Sequence, residues 1–257
     1  MMKILYVLFT GFIMVNAIAD EGQNFSVLND GLLSRMASTR DPGEIQFSLA
    51  PEFVGRKDNE KYITDISLEY GITSRVEIGF KFLFMGEDGG IGPYGNGAYA
   101  LYNFISKPHW DFLVTGGVEF SSLSETIDGR DEEHTFFRPQ IQMQKLWRDY
   151  FANLEVLYER KRIRQGLSLN DSGLVSTLTA GVFHNSGRLF LEIQNRALKI
   201  ERGLVLGFGK SWIFNDSFRF ALGGAYGTTS SLPRFRVSAL LSWDIDLFKD
   251  KVTQLRY

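Results

Sequence analysis

Alternation with a period of two, repeated along nearly the whole chain, constrains this sequence more than any other feature. It is clearest from Leu68 to Phe84, LEYGITSRVEIGFKFLF, and in the residues just before it. There Tyr62, Thr64, Ile66, Leu68 and Tyr70 share one parity, with Asp65, Ser67 and Glu69 on the other. After a tight turn, Val76, Ile78, Phe80, Phe82 and Phe84 alternate with Glu77, Gly79 and Lys81. A soluble sandwich gives this pattern in some strands. Its recurrence in nearly every strand, with short turns, longer loops and a secretion signal, predicts an all-β fold. The specific expectation is a transmembrane antiparallel up-and-down β-barrel of about 12 strands.

The strands can be followed in order. The first is expected over Glu44 to Phe53, and a polar loop, Gly55 to Glu60, leads into the hairpin. The glycine-rich stretch Gly86 to Pro93 reads as a long loop before a fourth strand, about Tyr94 to Ile105. Strand five alternates Phe112, Val114, Gly116, Val118 and Phe120 with Thr115, Gly117 and Glu119. Ser122 to His134 reads as a long polar loop, and strand six sets Phe137, Pro139, Ile141 and Met143 against Arg138, Gln140, Gln142 and Gln144. Strand seven follows the turn Trp147-Arg148-Asp149-Tyr150. Arg160 to Arg164 and Gly166 to Ser172 read as the next loop region. His184 to Gly187 joins strands eight and nine, and Asn215-Asp216 joins ten and eleven. Strand twelve alternates Phe235 to Leu247 with Arg236, Ser238, Ser242, Asp244 and Asp246. Twelve is an even number, as in bacterial single-chain barrels. Short connections after strands 2, 4, 6, 8 and 10 place both termini in the periplasm, with the longer loops outside. The connection after strand nine is short as well. Lys249-Asp250-Lys251 breaks the alternation before Tyr257, leaving either a tail or a further short strand.

The N-terminus supplies the secretion signal. MMKILYVLFTGFIMVNAIA has a charged start, an apolar core from Ile4 to Val15 and a small-residue exit at Ala17-Ile18-Ala19. Residues 1–19 are therefore expected to be a signal peptide cut before Asp20. The apolar core is short against the ~20 residues of a spanning helix. Asp20 to Gly43 lacks periodicity and is expected to be a periplasmic segment, with the alternative that it folds into the lumen. Residues 44–257 form the barrel. The absence of cysteine excludes disulfides, thiolate metal sites and an N-terminal lipidated Cys. Removing residues 1–19 takes Lys3 and no acid, leaving 27 basic against 30 acidic residues. That near-neutrality gives no argument for nucleic acid or a polybasic membrane surface. With 22 Phe and 26 Gly, the chain suits an apolar outer band with aromatic girdles and close strand packing.

If the apolar parity faces lipid, the other faces the lumen. The expected pore-lining residues are Glu77, Lys81, Glu119, Arg138, Gln140, Gln142, Gln144, Glu155, Glu192, Arg196, Arg219 and Arg236. They have two readings: ion pairs and hydrogen bonds that fill a narrow barrel, or charged rings of a hydrated pore. Their mixed signs argue against strong anion selectivity. His109 and His184 fall in turns. His134 lies in the expected loop Ser122 to His134, near Ser121, Ser122, Ser124, Asp131, Glu132 and Glu133. These are ingredients of nucleophilic hydrolysis, but spacing in a loop cannot establish the geometry it needs. Gly207-Phe208-Gly209 and Gly223-Gly224 lie inside strands, which rules out a phosphate loop.

The stretch Glu69 to Phe82, followed by Gly89 to Phe104, resembles outer-membrane transporters of the phenol-degradation meta-pathway type. Tyr70, Gly71, Ile72, Thr73, Arg75, Glu77, Ile78 and Gly79 match their hairpin, and the resemblance covers about half the chain. It implies passive passage of small, often apolar molecules and brings no catalytic residues. Gly31 to Gly43 separately resembles the N-terminal part of barrels associated with exopolysaccharide export, and Asn29-Asp30 and Thr39-Arg40-Asp41 are similar to fragments of a calcium-dependent deacylase. The expected function is a passive outer-membrane channel for small molecules, without a cofactor. Its expected partners are outer-membrane lipid, a small-molecule solute and, during biogenesis, periplasmic chaperones and the barrel-assembly machinery. The alternatives are a closed structural or polysaccharide-export barrel that binds a partner, a lipid-modifying enzyme using His134, and a soluble periplasmic β-protein.

Overall fold

The computed structural model describes residues 40–247, apart from 56–59, 88–89, 108–111, 128–129, 166, 185–186, 200 and 216. The expected signal peptide, most of the segment 20–43, His109 and the tail 249–257 lie outside the described residues. The chain forms twelve strands: β1 Glu44–Gly55, β2 Glu60–Thr73, β3 Val76–Glu87, β4 Gly90–Lys107, β5 Phe112–Ile127 and β6 Arg130–Trp147, then β7 Tyr150–Gln165, β8 Leu167–His184, β9 Gly187–Ala197, β10 Arg202–Asn215, β11 Phe218–Gly227 and β12 Phe235–Asp246. Each pairs antiparallel with its sequence neighbours, and β1 pairs with β12 from Glu44↔Asp246 to Gly55↔Phe235. No strand keeps an open edge, so the ladder bonds within the sheet satisfy the backbone all the way round.

The two faces divide by chemistry as the alternation predicts. Outward rows are apolar and partly to largely exposed; one runs Val114, Met143, Leu154, Leu178, Ile193, Leu206 across β5 to β10. Aromatic side chains collect at both ends of this band. Tyr102, Phe104, Trp147, Tyr150, Phe214 and Trp243 ring the end that carries the first residues of β1. Tyr62, Phe82, Phe120, Tyr158, Tyr226 and Phe235 ring the far end. An apolar band between two aromatic girdles is the exterior of a transmembrane barrel, whereas a soluble protein would bury that band.

The expected loops Gly86 to Pro93, Ser122 to His134 and Arg160 to Ser172 are mostly paired strand. β3 and β4 extend to Glu87 and Gly90, β5 and β6 to Ile127 and Arg130, and β7 and β8 to Gln165 and Leu167. A spanning strand needs about 9–11 residues, and β4 to β8 have 16 to 18. The excess stands beyond the girdle at the far end. Backbone pairing gains less there than in the membrane, because water can also satisfy these groups, but it still suffices to continue the ladder, and the outer face no longer has to be apolar. The polar–apolar alternation therefore stops while the strands continue.

Ile193 sits in the middle of the outward band and is half exposed. Ile193→Arg should lower the stability of the lipid-embedded barrel by roughly 2–4 kcal/mol, as a charge at the bilayer midplane does. Urea unfolding in vesicles checks this; a change within experimental error would place this face in water.

Candidate functional site: the barrel interior

The inward parity carries the polar and charged side chains. One wall holds a chain of alternating charges across five strands. Lys81 Nζ lies 3.3 Å from Glu119 Oε2, and Arg138 Nη1 donates to Glu119 Oε1 at 3.0 Å. Arg138 Nε then donates to Glu159 Oε2 at 2.8 Å, and Arg196 Nη2 bridges Glu159 at 3.2 Å and Glu201 at 2.9 Å. The strand register places Glu119 directly opposite Arg138. Arg138 also lies over the Phe136 ring, 4.5 Å from its centroid. Arg138 and Arg196 are each held between two carboxylates, which fixes these long side chains against the wall.

A second cluster forms where the chain enters β1. Arg40 is fully buried. Its guanidinium donates to Glu69 Oε2 (2.5 Å from Nη2) and to Gln46, and its backbone N–H donates to Glu77 Oε2 at 2.8 Å. Gln46 passes the chain on to Asp244 at 2.5 Å, and Asp244 accepts from Arg219. Tyr99 donates to the other oxygen of Glu77 at 3.0 Å. Two glycines let the chain reach this position. Gly43 takes φ 81°, a left-handed turn, and donates its N–H to the Gly71 carbonyl at 2.8 Å. Gly71 faces inward, and a Cβ there would stand 2.0 Å from the Asp41 carbonyl oxygen. Residues 40–43 thus lie against bare backbone.

An apolar group completes this end of the interior. Phe151 and Phe190 are buried with Leu146 and Phe183 packed on them, and the Arg188 guanidinium lies over both buried rings. Gln142, Gln144, Asn153, Thr177, Thr179 and Glu192 are buried beside them, with Gln142 donating to Glu155 and Thr179 to Glu192. Side chains therefore pack the interior at the end that holds Arg40. Above this floor lies a cavity of about 380 Å³, lined by nine strands. Its walls carry the carboxylates Glu52, Asp65, Glu69, Glu119, Glu155 and Glu159 against the cations Lys81, Arg138 and Arg196.

Of the twelve residues expected to line a pore, Lys81, Glu119, Arg138, Gln140, Glu155 and Arg196 face this cavity. Glu77, Gln142, Gln144, Glu192 and Arg219 take part in the packed floor. Arg236 faces Glu52 across the seam near the far end, at 3.5 Å. The structure brings together groups that the sequence reading left apart: Arg40, Gln46 and Tyr99 in one network, and Phe151 with Phe190 in the interior. Inward parity marked Gln46 and Tyr99. Nothing periodic marked Arg40.

His134 is not in a loop. It sits on β6, buried, with its side chain on the inward parity. Ser122 and Ser124 have the outward parity, so the barrel wall separates them from His134. Ser121 has the inward parity but stands opposite Phe136, while His134 stands opposite Leu123. The side chains of Asp131 and Glu132 lie outside the described residues. Among the described residues no group of three His, Asp or Glu side chains could hold a metal.

These features define an outer-membrane type of β-barrel with a polar, partly filled interior. No family model matches the chain, and no curated protein matches it either. Solved structures share its fold. It is similar to the COG4313 outer membrane channel from Pseudomonas putida F1, with TM-score 0.57 and 9% identity over 81% of this chain and 98% of that one. The NanC porin gives 0.56 and 8% over 76% and 97%, and the KdgM porin 0.53 and 12% over 76% and 97%. At such identities the likeness is one of fold.

The Arg40 cluster makes a stability prediction. Arg40→Ala leaves Glu69 buried without its cation and should cost roughly 3–5 kcal/mol. Adding Glu69→Gln should recover part of that loss, so the double variant falls short of the sum of the singles. Urea unfolding of the four proteins in vesicles measures the coupling. Additive losses would show that Arg40 and Glu69 act independently.

Proposed function

We propose that this protein is an outer-membrane channel for the passive passage of small polar molecules, with its far end outside the cell and its termini in the periplasm. The observation that supports this best is the pairing of an apolar exterior with a cavity of about 380 Å³ walled by charged and polar side chains. A barrel whose only role was structural would gain more from an apolar or fully packed interior, since each buried charge needs a partner. Localisation to the outer membrane follows from the barrel architecture together with the expected signal peptide. The hairpin from Tyr70 to Gly79, resembling transporters of the phenol-degradation meta-pathway type, agrees with passive transport.

The charge on the cavity wall bears on the solute. Six carboxylates face three cations there, and all three cations sit between or beside carboxylates. This wall disfavours anions and suits neutral or cationic solutes. It differs in that respect from what an anionic sugar such as oligogalacturonate would need, the ligand named for one structure of the KdgM porin.

The packed floor sets the gate. Residues 40–43 precede the barrel and are held against its inner wall chiefly through the Arg40 side chain and the bare backbone at Gly71. We assign them the role of a periplasmic plug whose release widens the path. The wall charges Lys81, Glu119, Arg138, Gln140, Glu155 and Arg196 then line the wide part of the pore.

Single-channel recording in planar bilayers tests both parts. Wild-type protein should give small, infrequent openings. Arg40→Ala and Gly71→Val should both raise the conductance several-fold, the first by cutting the tether and the second by filling the space under Asp41. Arg138→Glu should strengthen cation preference. A folded, membrane-inserted barrel that stays silent in all four forms would refute the channel; equal openings in the wild type and both plug variants would refute the plug.

A further inference from the structure

One patch of the outer face groups outward polar residues beside aromatic ones. The strand register sets out two parallel rows there. The first runs Phe82, Asn96, Ser122, Thr135, Arg162 across β3 to β7. The second, one step nearer the membrane centre, runs Phe80, Ala98, Phe120, Phe137, Arg160. The rings of Phe80, Phe82 and Phe120 are about half exposed and stand either side of the small residues Asn96 and Ala98. Between them is an outward hollow of about 490 Å³, bounded towards β6 by Thr135. Phe120 is braced from behind by Phe137, ring centroids 4.9 Å apart.

Three kinds of chemistry thus succeed one another across about five strands. The hollow between aromatic walls fits an acyl chain. Asn96, Ser122 and Thr135 offer an amide and two hydroxyls at its upper edge. Arg162 and Arg160 are exposed beyond them on β7, directly across the ladder from Thr135 and Phe137. Among the described residues neither arginine forms an ion pair. An outward arginine at the level of an aromatic girdle lies where lipid headgroups lie, and arginine binds phosphate bidentately.

We propose that this patch is a binding site for one phosphorylated glycolipid of the far-end leaflet. The phosphate sits on Arg160 and Arg162, the sugar hydroxyls on Asn96, Ser122 and Thr135, and one acyl chain in the hollow over Ala98. The neighbouring hydroxyl and amide groups favour a sugar headgroup over a glycerol one, because they multiply hydrogen-bond partners where a sugar multiplies hydroxyls. All of these side chains point away from the lumen. The site is therefore independent of conduction, and its failure would leave the channel reading untouched.

Native mass spectrometry of the detergent-purified protein tests the site, with diphosphoryl lipid A as probe. Enzymatically dephosphorylated lipid A and phosphatidylglycerol serve as comparators. The wild type should retain one diphosphoryl lipid A at least ten-fold more tightly than either comparator. Arg160→Gln with Arg162→Gln should lose that preference, and Ala98→Phe, which fills the hollow, should weaken retention of the same lipid at least ten-fold. Heat-modifiable migration confirms that each variant is folded. Equal binding of the dephosphorylated lipid would overturn the phosphate contact, and equal binding of phosphatidylglycerol the sugar contact. Unchanged binding in Ala98→Phe would overturn the hollow.

Discussion

Hydrocarbon offers no partner to a backbone N–H or C=O, and the rest of this structure depends on that constraint. Each unpaired group would cost several kcal/mol in the bilayer, so the sheet must close on itself. The seam from Glu44↔Asp246 to Gly55↔Phe235 is the direct expression of this requirement. Closure then fixes everything else by parity. Once one set of alternate side chains meets lipid, the other set is enclosed, and the enclosed set is where charges and amides can be placed.

Enclosure creates a second problem, since charged groups inside a narrow barrel need counter-charges. The interior solves it locally, by placing opposite charges on neighbouring strands within reach of one another. Glu119 opposite Arg138 is one case, and the Glu159 carboxylate accepting from both Arg138 and Arg196 is another. The cost of such a solution is occupancy: side chains locked to each other take up the space through which a solute would move. The cavity remains where these pairs line its wall. Near the start of β1, the Phe151 and Phe190 rings and the Arg40 network fill the space instead.

Much of this was legible in the sequence, because parity is a local property. Phe235 to Ile245 against Arg236 to Asp244 gave the orientation of β12 without any knowledge of its neighbours, and the inward positions of Arg138 and Glu155 followed in the same way. Strand ends were less legible. Glu133 and Arg164 are paired in the ladder, yet nothing in their sequence context alternates, because beyond the lipid the outer face need not be apolar. Arg40 was hidden for a different reason. It belongs to no strand, and its position is set by a left-handed turn at Gly43 and a missing side chain at Gly71, two features whose meaning appears only once they are adjacent in space. Phe190 was hidden because one aromatic on a polar parity does not disturb the alternation around it.

The route from Arg40 through Gln46 to Asp244 and Arg219 includes one hydrogen bond, Gln46 to Asp244, between residues 198 positions apart along the chain. These residues belong to the entry segment, β1, β12 and β11, so the network straddles the join between the first and last strands. Contacts of such long sequence separation form late, after most of the loop-closure entropy has been lost. Gln46, which accepts from Arg40, also donates across the seam to Asp244, so one side chain serves both the seating of Arg40 and the join. A ring still open between β1 and β12 would lack the Gln46–Asp244 link, and with it the continuous route from the entry segment to β11.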